Sequence, residues 1–291
     1  MGQGEGTQAG DGDPEFELCY LDAGGGTERH ELPALWPGLQ PEVFRPVREF
    51  RWARGQRHLP GLWWSATTGS HVGYGSWLER DHVMPLDFDP QVTMIAAQPF
   101  WLRRRDDAGR SRRHAPGLFA RMTDGSGVVI DVRPDDQIEQ KDAEAFDATQ
   151  ERMRAGRVGL QAGGRPRSGA GGEHHVAARY RHPRCGGSPD LARFLLKVFA
   201  EPAPLMAGPA AAGDPMAVLP ALFHLLWQHA LVADLAVRLT AETLVSAGTL
   251  PAAPGGLKAH TPGACMAVGS PRPRRARSRR RHPPARPAPP A

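Results

Sequence analysis

Apolar and polar positions alternate regularly in two parts of the chain, residues 43–150 and residues 181–250. SWLERDHVM (76–84) places apolar residues among charged ones at helical spacing, which predicts a short amphipathic helix. The Asp and Pro residues at 87–90 are expected to end it as caps and turn formers. VTMIAAQPFWLRR (92–104), GLFARM (117–122) and VVIDVRP (128–134) are rich in β-branched and aromatic residues and predict three strands.

The third predicted strand contains an unusual carboxylate. VVIDV is nearly all apolar, which is typical of a central strand buried on both faces, yet Asp131 lies inside it. Burying a carboxylate without a partner or a metal is costly. We therefore expect Asp131 to have a specific role.

The second patterned region is shorter and predicts helices. PALFHLLWQHALVADLAVRLTAETLV (220–245) keeps helical apolar spacing through Leu235, and a second helix is expected to start near Thr240. The region 181–250 is predicted as a small helical module. Both a winged-helix arrangement and a plain helical hairpin covering the core fit these residues.

The remaining segments predict little regular structure. Residues 1–42 are Gly-rich and acidic and are expected to be mostly flexible, with FELCYLD (16–22) as one edge strand. DAEAFDATQERMRA (142–155) predicts one more helix. In 151–179, 19 of 29 residues are Gly, Arg, Ala or Pro, so 151–180 is predicted as a disordered linker or a segment translated in a shifted reading frame. Residues 251–291 are predicted as a disordered Pro/Arg-rich tail.

Charge is unevenly distributed along the chain. The formal net charge is +5 overall, but it is −8 over residues 1–150 (16 basic, 24 acidic) and +8 over the last 21 residues (8 Arg, no acid). The basic balance therefore lies mainly in the tail and in the Arg-rich segment near 151–184, which favours non-specific phosphate contacts over a DNA-reading fold. Six arginines between 103 and 113 form either a phosphate-binding edge or a solvated charge run.

The cysteines and the lengths of the apolar runs indicate the cellular compartment in which the protein is expected. Three widely spaced cysteines argue against a disulfide scaffold and favour a reducing cytosol. The chain shows no secretory leader and no membrane-length apolar run, so a cytoplasmic location without membrane partners is expected. His174, His175, His182, His224 and His229 lack the spacing of a metal site.

A family resemblance joins these observations. RPVREFRWARGQRHLPGLWWSATTGSHVGYGSWLERDHVMPLDFDP, IAAQPFWL and HAPGLFARMTDGSGVVIDVRP resemble, in this order, the endonuclease domain of TnsA-type heteromeric transposase subunits. RHPR (181–184) and ALFHLLWQHALVADL (221–235) resemble their C-terminal part. The resemblance covers about half the chain. It implies a restriction-endonuclease-like α/β fold of the PD-(D/E)xK superfamily, a mixed sheet flanked by helices, over residues 43–150.

The resemblance also implies a chemistry. Such a subunit is a Mg²⁺-dependent DNA endonuclease that cuts one strand at each transposon end beside a separate DDE-type transposase subunit. Asp131 falls on the second metal-binding acidic position and Arg133 on the basic one. Glu79, on the predicted helix, is a further metal and catalytic candidate. Gln98, in QPF, falls on a position expected to be structural.

Two positions depart from the family pattern. H-x-P-D has Gly117 in place of its Asp, and Y-E-S-x-L-E has Gly75 in place of its first Glu. Because Mg²⁺ is usually held by carboxylates, losing two of them should weaken metal binding and cleavage. Three interpretations therefore remain open: an endonuclease with impaired chemistry, an inactive DNA-binding or assembly subunit, and a decayed gene product.

Overall fold

The computed structural model describes residues 16–31, 38–50, 54–56, 58–105, 109–132, 158–163 and 173–248. Over these ranges the chain is mixed α/β, with several antiparallel sheets and few helices. The strands are β1 Phe16–Leu21, β2 Thr27–Glu31, β3 Gly61–Ser65, β4 Ser70–Tyr74, β5 Val92–Ala97, β6 Phe100–Arg105, β7 Ser111–His114, β8 Leu118–Met122, β9 Gly127–Val132, β10 Val158–Gly163, β11 Ala203–Pro204, β12 Leu231–Val232 and β13 Leu244–Ala247. The α-helices are α1 Trp77–Phe88, α2 His174–Ala178, α3 Pro189–Val198, α4 Ala207–Ala212 and α5 Pro215–Trp227.

Two four-stranded sheets form the N-terminal part. The first has the order β2-β1-β6-β7 and is antiparallel throughout. The second has the order β10-β9-β8-β5 and is mixed, because β10 pairs with β9 in parallel while the other pairs are antiparallel. The strand β9 therefore lies inside its sheet, as the apolar run VVIDV predicts.

The second sheet is covered on both faces, which explains its apolar composition. Alternate residues on one face (Ala96, Phe119, Val129) pack with Leu18 and Phe100 of the first sheet. Residues on the other face pack with α1, the β3–β4 hairpin and the C-terminal module (Ile95, Leu118, Ala120, Ile130, with Val83, Met84, Trp63, Val72, Ala177, Trp227). The period of two along each strand separates the two cores.

A sharp turn moves the chain from one sheet to the other. The segment 92–104, predicted as one strand, is instead β5 and β6, broken at Gln98 and Pro99. Gln98 has a φ of 44°, its N–H donates to the carbonyl of Gly117, and its carbonyl accepts from the N–H of Val47. Proline at 99 has no N–H to donate to a continuing strand, which favours the break. The expected structural role of Gln98 is confirmed for its backbone.

The C-terminal module combines helices with a small sheet. α3, α4 and α5 pack around a shared core with a three-stranded sheet of order β11-β13-β12. The prediction of a second helix near Thr240 is wrong, because the chain forms β13 there, and α5 ends at Trp227 rather than running through Leu235. The apolar residues after Trp227 lie in the strand β12 and in a loop. Helical spacing of apolar residues alone does not distinguish such a segment from a continued helix.

The helix α5 is buried on both sides. Leu222, Leu225 and Leu226 pack in the core of the module, while Trp227 packs in the core below the second sheet and lies 5.0 Å from the Phe88 ring. His229 makes a 2.6 Å hydrogen bond with the carbonyl of Phe88. This helix therefore joins the C-terminal module to α1.

Other predictions need correction. Residues 1–42 contain the β1–β2 hairpin, so β1 lies between β2 and β6 and is not an edge strand. Gly25, with a φ of 90°, provides the turn that lets β2 fold back onto it. Residues 151–180 contain β10 and α2, because backbone pairing with β9 needs no apolar period in the added strand. The predicted helix at 142–155 and the tail at 251–291 lie outside the described residues.

The predictions for α1, β8 and β9 are confirmed, with α1 extending past Asp87 to Phe88. Within the described ranges, none of the helices combines the length and the apolar character needed to cross a bilayer.

Candidate active site

Glu79 takes its position from the start of α1. Ser76 is the N-cap residue, and its hydroxyl accepts a hydrogen bond of 3.2 Å from the N–H of Glu79. The carboxylate of Glu79 in turn accepts a 2.7 Å hydrogen bond from the N–H of Gly75. Ser76 thus makes the N-cap half of a capping box, while the Glu79 side chain reaches one residue further back, to the N–H of Gly75 rather than to that of Ser76. The side chain therefore has a structural role that sequence analysis did not assign, although SWLE at 76–79 contains the motif.

The environment of Glu79 favours its protonated form. Burial raises the pKa of the carboxyl above its ordinary value, and the nearby charge of Asp131 adds to this. The Gly75 N–H and the charges of Arg48 and His58 act in the opposite direction but do not cancel the effect of burial. Glu79 therefore exchanges its proton nearer to neutral pH than an exposed glutamate does. That property suits general acid–base chemistry.

Both glycines that depart from the family pattern flank Glu79. A Cβ atom added at Gly117 would lie 3.7 Å from Cγ of Glu79, and one added at Gly75 would lie 3.4 Å from its Oε1. These are ordinary van der Waals distances, and neither glycine has a left-handed φ. Neither backbone conformation nor lack of space therefore requires glycine at these two positions.

Asp131 lies near the end of the interior strand β9, with a histidine beside it. Its side chain is 4% exposed, and Oδ1 lies 2.9 Å from Nε2 of His114 on β7. The two atoms are at ion-pair distance without hydrogen-bond alignment. His114 is the partner that the buried carboxylate was expected to have. The sequence carried only a weak signal for it, in HAPG.

Strand register brings position 117 to the same place. Leu118 pairs with Ile130 in the antiparallel β8–β9 ladder. One step further along this register, the backbone of Gly117 is opposite Asp131. The structure thus gathers Gly75, Glu79, Gly117 and Asp131 at one end of the second sheet. Arg133 lies outside the described residues.

The described residues supply an incomplete set of metal ligands. Glu79 and Asp131 offer oxygen ligands of the kind that Mg²⁺ prefers. Glu79 accepts the hydrogen bond from Gly75, and Asp131 contacts His114. Across the ranges that the structure describes, no group of three His, Cys, Asp or Glu side chains is close enough to hold a metal ion. The described residues therefore do not fit a complete Mg²⁺ site.

A basic edge lies next to the site. In the β6–β7 ladder Arg103 faces Arg113 and Arg104 faces Arg112, and β7 is the edge strand that ends at His114. Like charges directly opposite each other destabilise a ladder. Glu17 offsets part of this through a 3.0 Å contact with Arg103, and the Arg113 guanidinium stacks 4.8 Å from the Trp101 ring. Charge on an edge strand also prevents edge-to-edge pairing between copies, which is the simpler explanation of this feature.

Comparison with known proteins adds no identification. No protein-family model matches the chain, and no curated protein is significantly similar to it in sequence.

Proposed function

We propose that this chain is a TnsA-like DNA endonuclease subunit of a heteromeric transposase, with metal-dependent phosphodiester hydrolysis impaired by the missing carboxylate at position 117. The observation that carries the proposal is the location of Gly117. Its backbone is one register step from the Leu118–Ile130 pair, and a Cβ atom there would make only ordinary van der Waals contacts, the one with Cγ of Glu79 at 3.7 Å. The restriction-endonuclease-like assignment of the mixed sheet belongs to this proposal.

The residues that remain have definite roles in it. Glu79 would exchange a proton near the scissile phosphate, because burial raises its pKa. Asp131 contacts His114, and Arg133 is assigned the charge-neutralising role that the resemblance implies. Gly117→Asp would supply the third acidic ligand.

The structural context supports DNA as the partner. Arg112 and Arg113 of the edge strand β7 provide a basic edge that ends at His114, beside Asp131. Phosphate contacts of this kind position a duplex without reading its sequence. The C-terminal module has the strand order and helix order of a winged helix. We do not assign α5 to a DNA groove, since it is packed between its own module and α1.

A second candidate follows from the incomplete ligand set. A chain that cannot bind Mg²⁺ would act only as a DNA-binding or assembly subunit beside a separate DDE-type transposase in the cytoplasm. This candidate is favoured by the hydrogen bond that occupies Glu79 with the N–H of Gly75 and by the absence of a three-ligand group among the described residues.

Nicking of supercoiled DNA carrying transposon ends, with Mg²⁺ and the partner transposase, separates the two candidates. The proposal predicts slow nicking by the natural chain, loss of nicking in Asp131→Ala and faster nicking in Gly117→Asp. If Gly117→Asp nicks the DNA and the natural chain does not, the result favours the second candidate, a DNA-binding subunit that keeps the arrangement of a nuclease site but lacks one carboxylate. If neither chain nicks and neither binds the DNA, the nuclease assignment is wrong.

A further inference from the structure

A cavity of about 580 Å³ opens directly above Glu79. Glu79, Gln98 and Gly75 form one end of it, and Arg48, His58 and Trp77 lie around the remainder. Its volume is within the range of small-ligand sites, which is roughly 300–1,000 Å³. The cavity is therefore large enough for one nucleotide and adjoins the carboxylate that the proposed function uses.

Trp77 is the first feature that points to a ligand. It is the first residue of α1, and 56% of its surface is exposed, whereas Trp63 and Trp227 are buried in the core. The Arg80 guanidinium lies 4.8 Å from the ring centroid and restricts the orientation of the indole. A large apolar ring exposed beside a cavity is typical of a stacking platform for nucleic-acid bases. Trp77 is therefore not part of the core.

Gln98 is the second feature. Its side chain is 4% exposed, and Oε1 has no hydrogen-bond partner among the residues that the structure describes. A buried acceptor without a donor is unfavourable, and such groups occur at sites where a ligand supplies the donor. The imino or amino N–H groups of a nucleobase are donors of this kind.

Cationic side chains are the third feature. Arg48, and His58 when it is protonated, place positive charge on the cavity wall, where the Glu49 and Glu79 carboxyls also lie, and both basic groups act on the Glu79 carboxyl. Arginine and protonated histidine bind phosphate oxygens through charge-assisted hydrogen bonds. The cavity thus combines a ring for a base, an acceptor for a base edge and cations for a phosphate.

We propose that this cavity holds one unpaired nucleotide of a DNA strand, with its base stacked on Trp77 and its phosphate facing Arg48 and His58. An unpaired nucleotide is required because a base within a duplex has both faces stacked on its neighbours. The proposal rests on the proposed function for the identity of the strand, but its test needs no cleavage. The proposal places the DNA strand next to Glu79, whose side chain lies beside position 117.

The test measures binding of a short fluorescent oligothymidylate to the full chain by anisotropy, without Mg²⁺. Trp77→Ala should weaken binding about tenfold or more, since base stacking on an aromatic ring contributes strongly to single-strand affinity. Trp77→Phe keeps a ring and should stay within about threefold of the natural chain. Leu62→Ala, at another exposed apolar residue (65% exposed) that does not line the cavity, should leave affinity unchanged.

Binding of a duplex and of a mononucleotide distinguishes a single DNA strand from other ligands. A blunt duplex of equal length should bind independently of Trp77, and thymidine monophosphate should compete only weakly. Equal affinity for the mononucleotide would contradict the DNA-strand form of the proposal. Absence of oligothymidylate binding, or equal losses in Trp77→Ala and Leu62→Ala, would overturn it. Trp77-dependent binding in a chain that nicks no DNA, even as Gly117→Asp, would uphold the cavity and refute the nuclease assignment.

Discussion

The Nε2 atom of His114 lies 2.9 Å from Oδ1 of Asp131, so the carboxylate inside strand β9 has a basic partner on the other sheet. His114 ends the Arg-rich strand β7, and Asp131 is opposite the backbone of Gly117. This contact therefore links the basic edge to the candidate active site.

Removing His114 should destabilise the fold. Asp131 is 4% exposed, and a buried carboxylate that loses its partner is unfavourable. We expect a coupling of about 0.5–3 kcal/mol between His114→Gln and Asp131→Asn in a double-mutant cycle. Urea unfolding of the two single variants and the double variant measures it. Additive effects would mean that the contact contributes nothing.

Asp87 should be among the most sensitive acidic residues. It accepts hydrogen bonds from Trp63 Nε1 (2.9 Å), Ser65 Oγ (2.6 Å) and the N–H of Thr67 (2.9 Å), and it is 5% exposed. It ties the β3–β4 hairpin to α1. Asp87→Ala should lower the free energy of unfolding by about 2–4 kcal/mol because three donors, two of them buried, lose their acceptor.

The matched control for Asp87 is the nearby exposed residue Asp89, which accepts one hydrogen bond from the N–H of Gln91. Asp89→Ala should lower the free energy of unfolding by no more than about 1 kcal/mol, as expected for loss of a local turn contact. Similar losses of unfolding free energy in Asp87→Ala and Asp89→Ala, measured by chemical denaturation, would contradict the role of Asp87 in holding the β3–β4 hairpin against α1.

Glu79 should make stability depend on pH. Its folded-state pKa is raised by burial above the ordinary 4.5, so the unfolded chain releases this proton first. Stability from this group is therefore complete below pH 4.5 and falls as pH rises through the folded-state value. Glu79→Gln should melt at a higher temperature than the natural chain near pH 8 and at a similar temperature near pH 4. A variant that melts at a lower temperature at both pH values would show that the Gly75–Glu79 hydrogen bond stabilises the fold more than burial of the carboxylate destabilises it.

Gly73 should not tolerate a side chain. A Cβ atom there would lie 2.3 Å from Cε2 of Phe50, so the ring would have to leave the wall of the cavity. Gly73→Ala should destabilise the protein by about 1–3 kcal/mol, as overpacking usually does. Gly38→Ala is the control, since no atom lies within 4 Å of its Cβ position. Thermal melts of the two variants should therefore differ, and equal melting would contradict the close packing.

The sequence predicted the parts of the fold that local patterns determine. Helix α1 and strands β8 and β9 follow from periodicity, and the two-sided burial of β9 follows from VVIDV. The break at Gln98 was missed because the residues on both sides of it favour strands. It depends on tertiary contacts, namely the hydrogen bonds to Gly117 and Val47.

The same limit applies to the candidate site. Glu79, Gly75, Gly117 and Asp131 were singled out by the family resemblance, and the structure brings them to one end of the second sheet. His114 and the cavity around Trp77 depend on contacts between elements distant in sequence. Asp87 was expected as a cap, but its partners lie on a hairpin more than 20 residues earlier. Single-residue patterns carry no information about such partners.

Divalent metal binding by Gly117→Asp tests the central claim most directly. The claim is that the frame of a nuclease site is present and lacks a carboxylate at position 117. Titration with Mn²⁺, followed by electron paramagnetic resonance, should show tight binding of one ion to Gly117→Asp and weak binding to the natural chain. Adding Asp131→Asn to Gly117→Asp should abolish this gain, and Gly38→Asp should produce none. Equal Mn²⁺ affinity of Gly117→Asp and the natural chain would contradict the account.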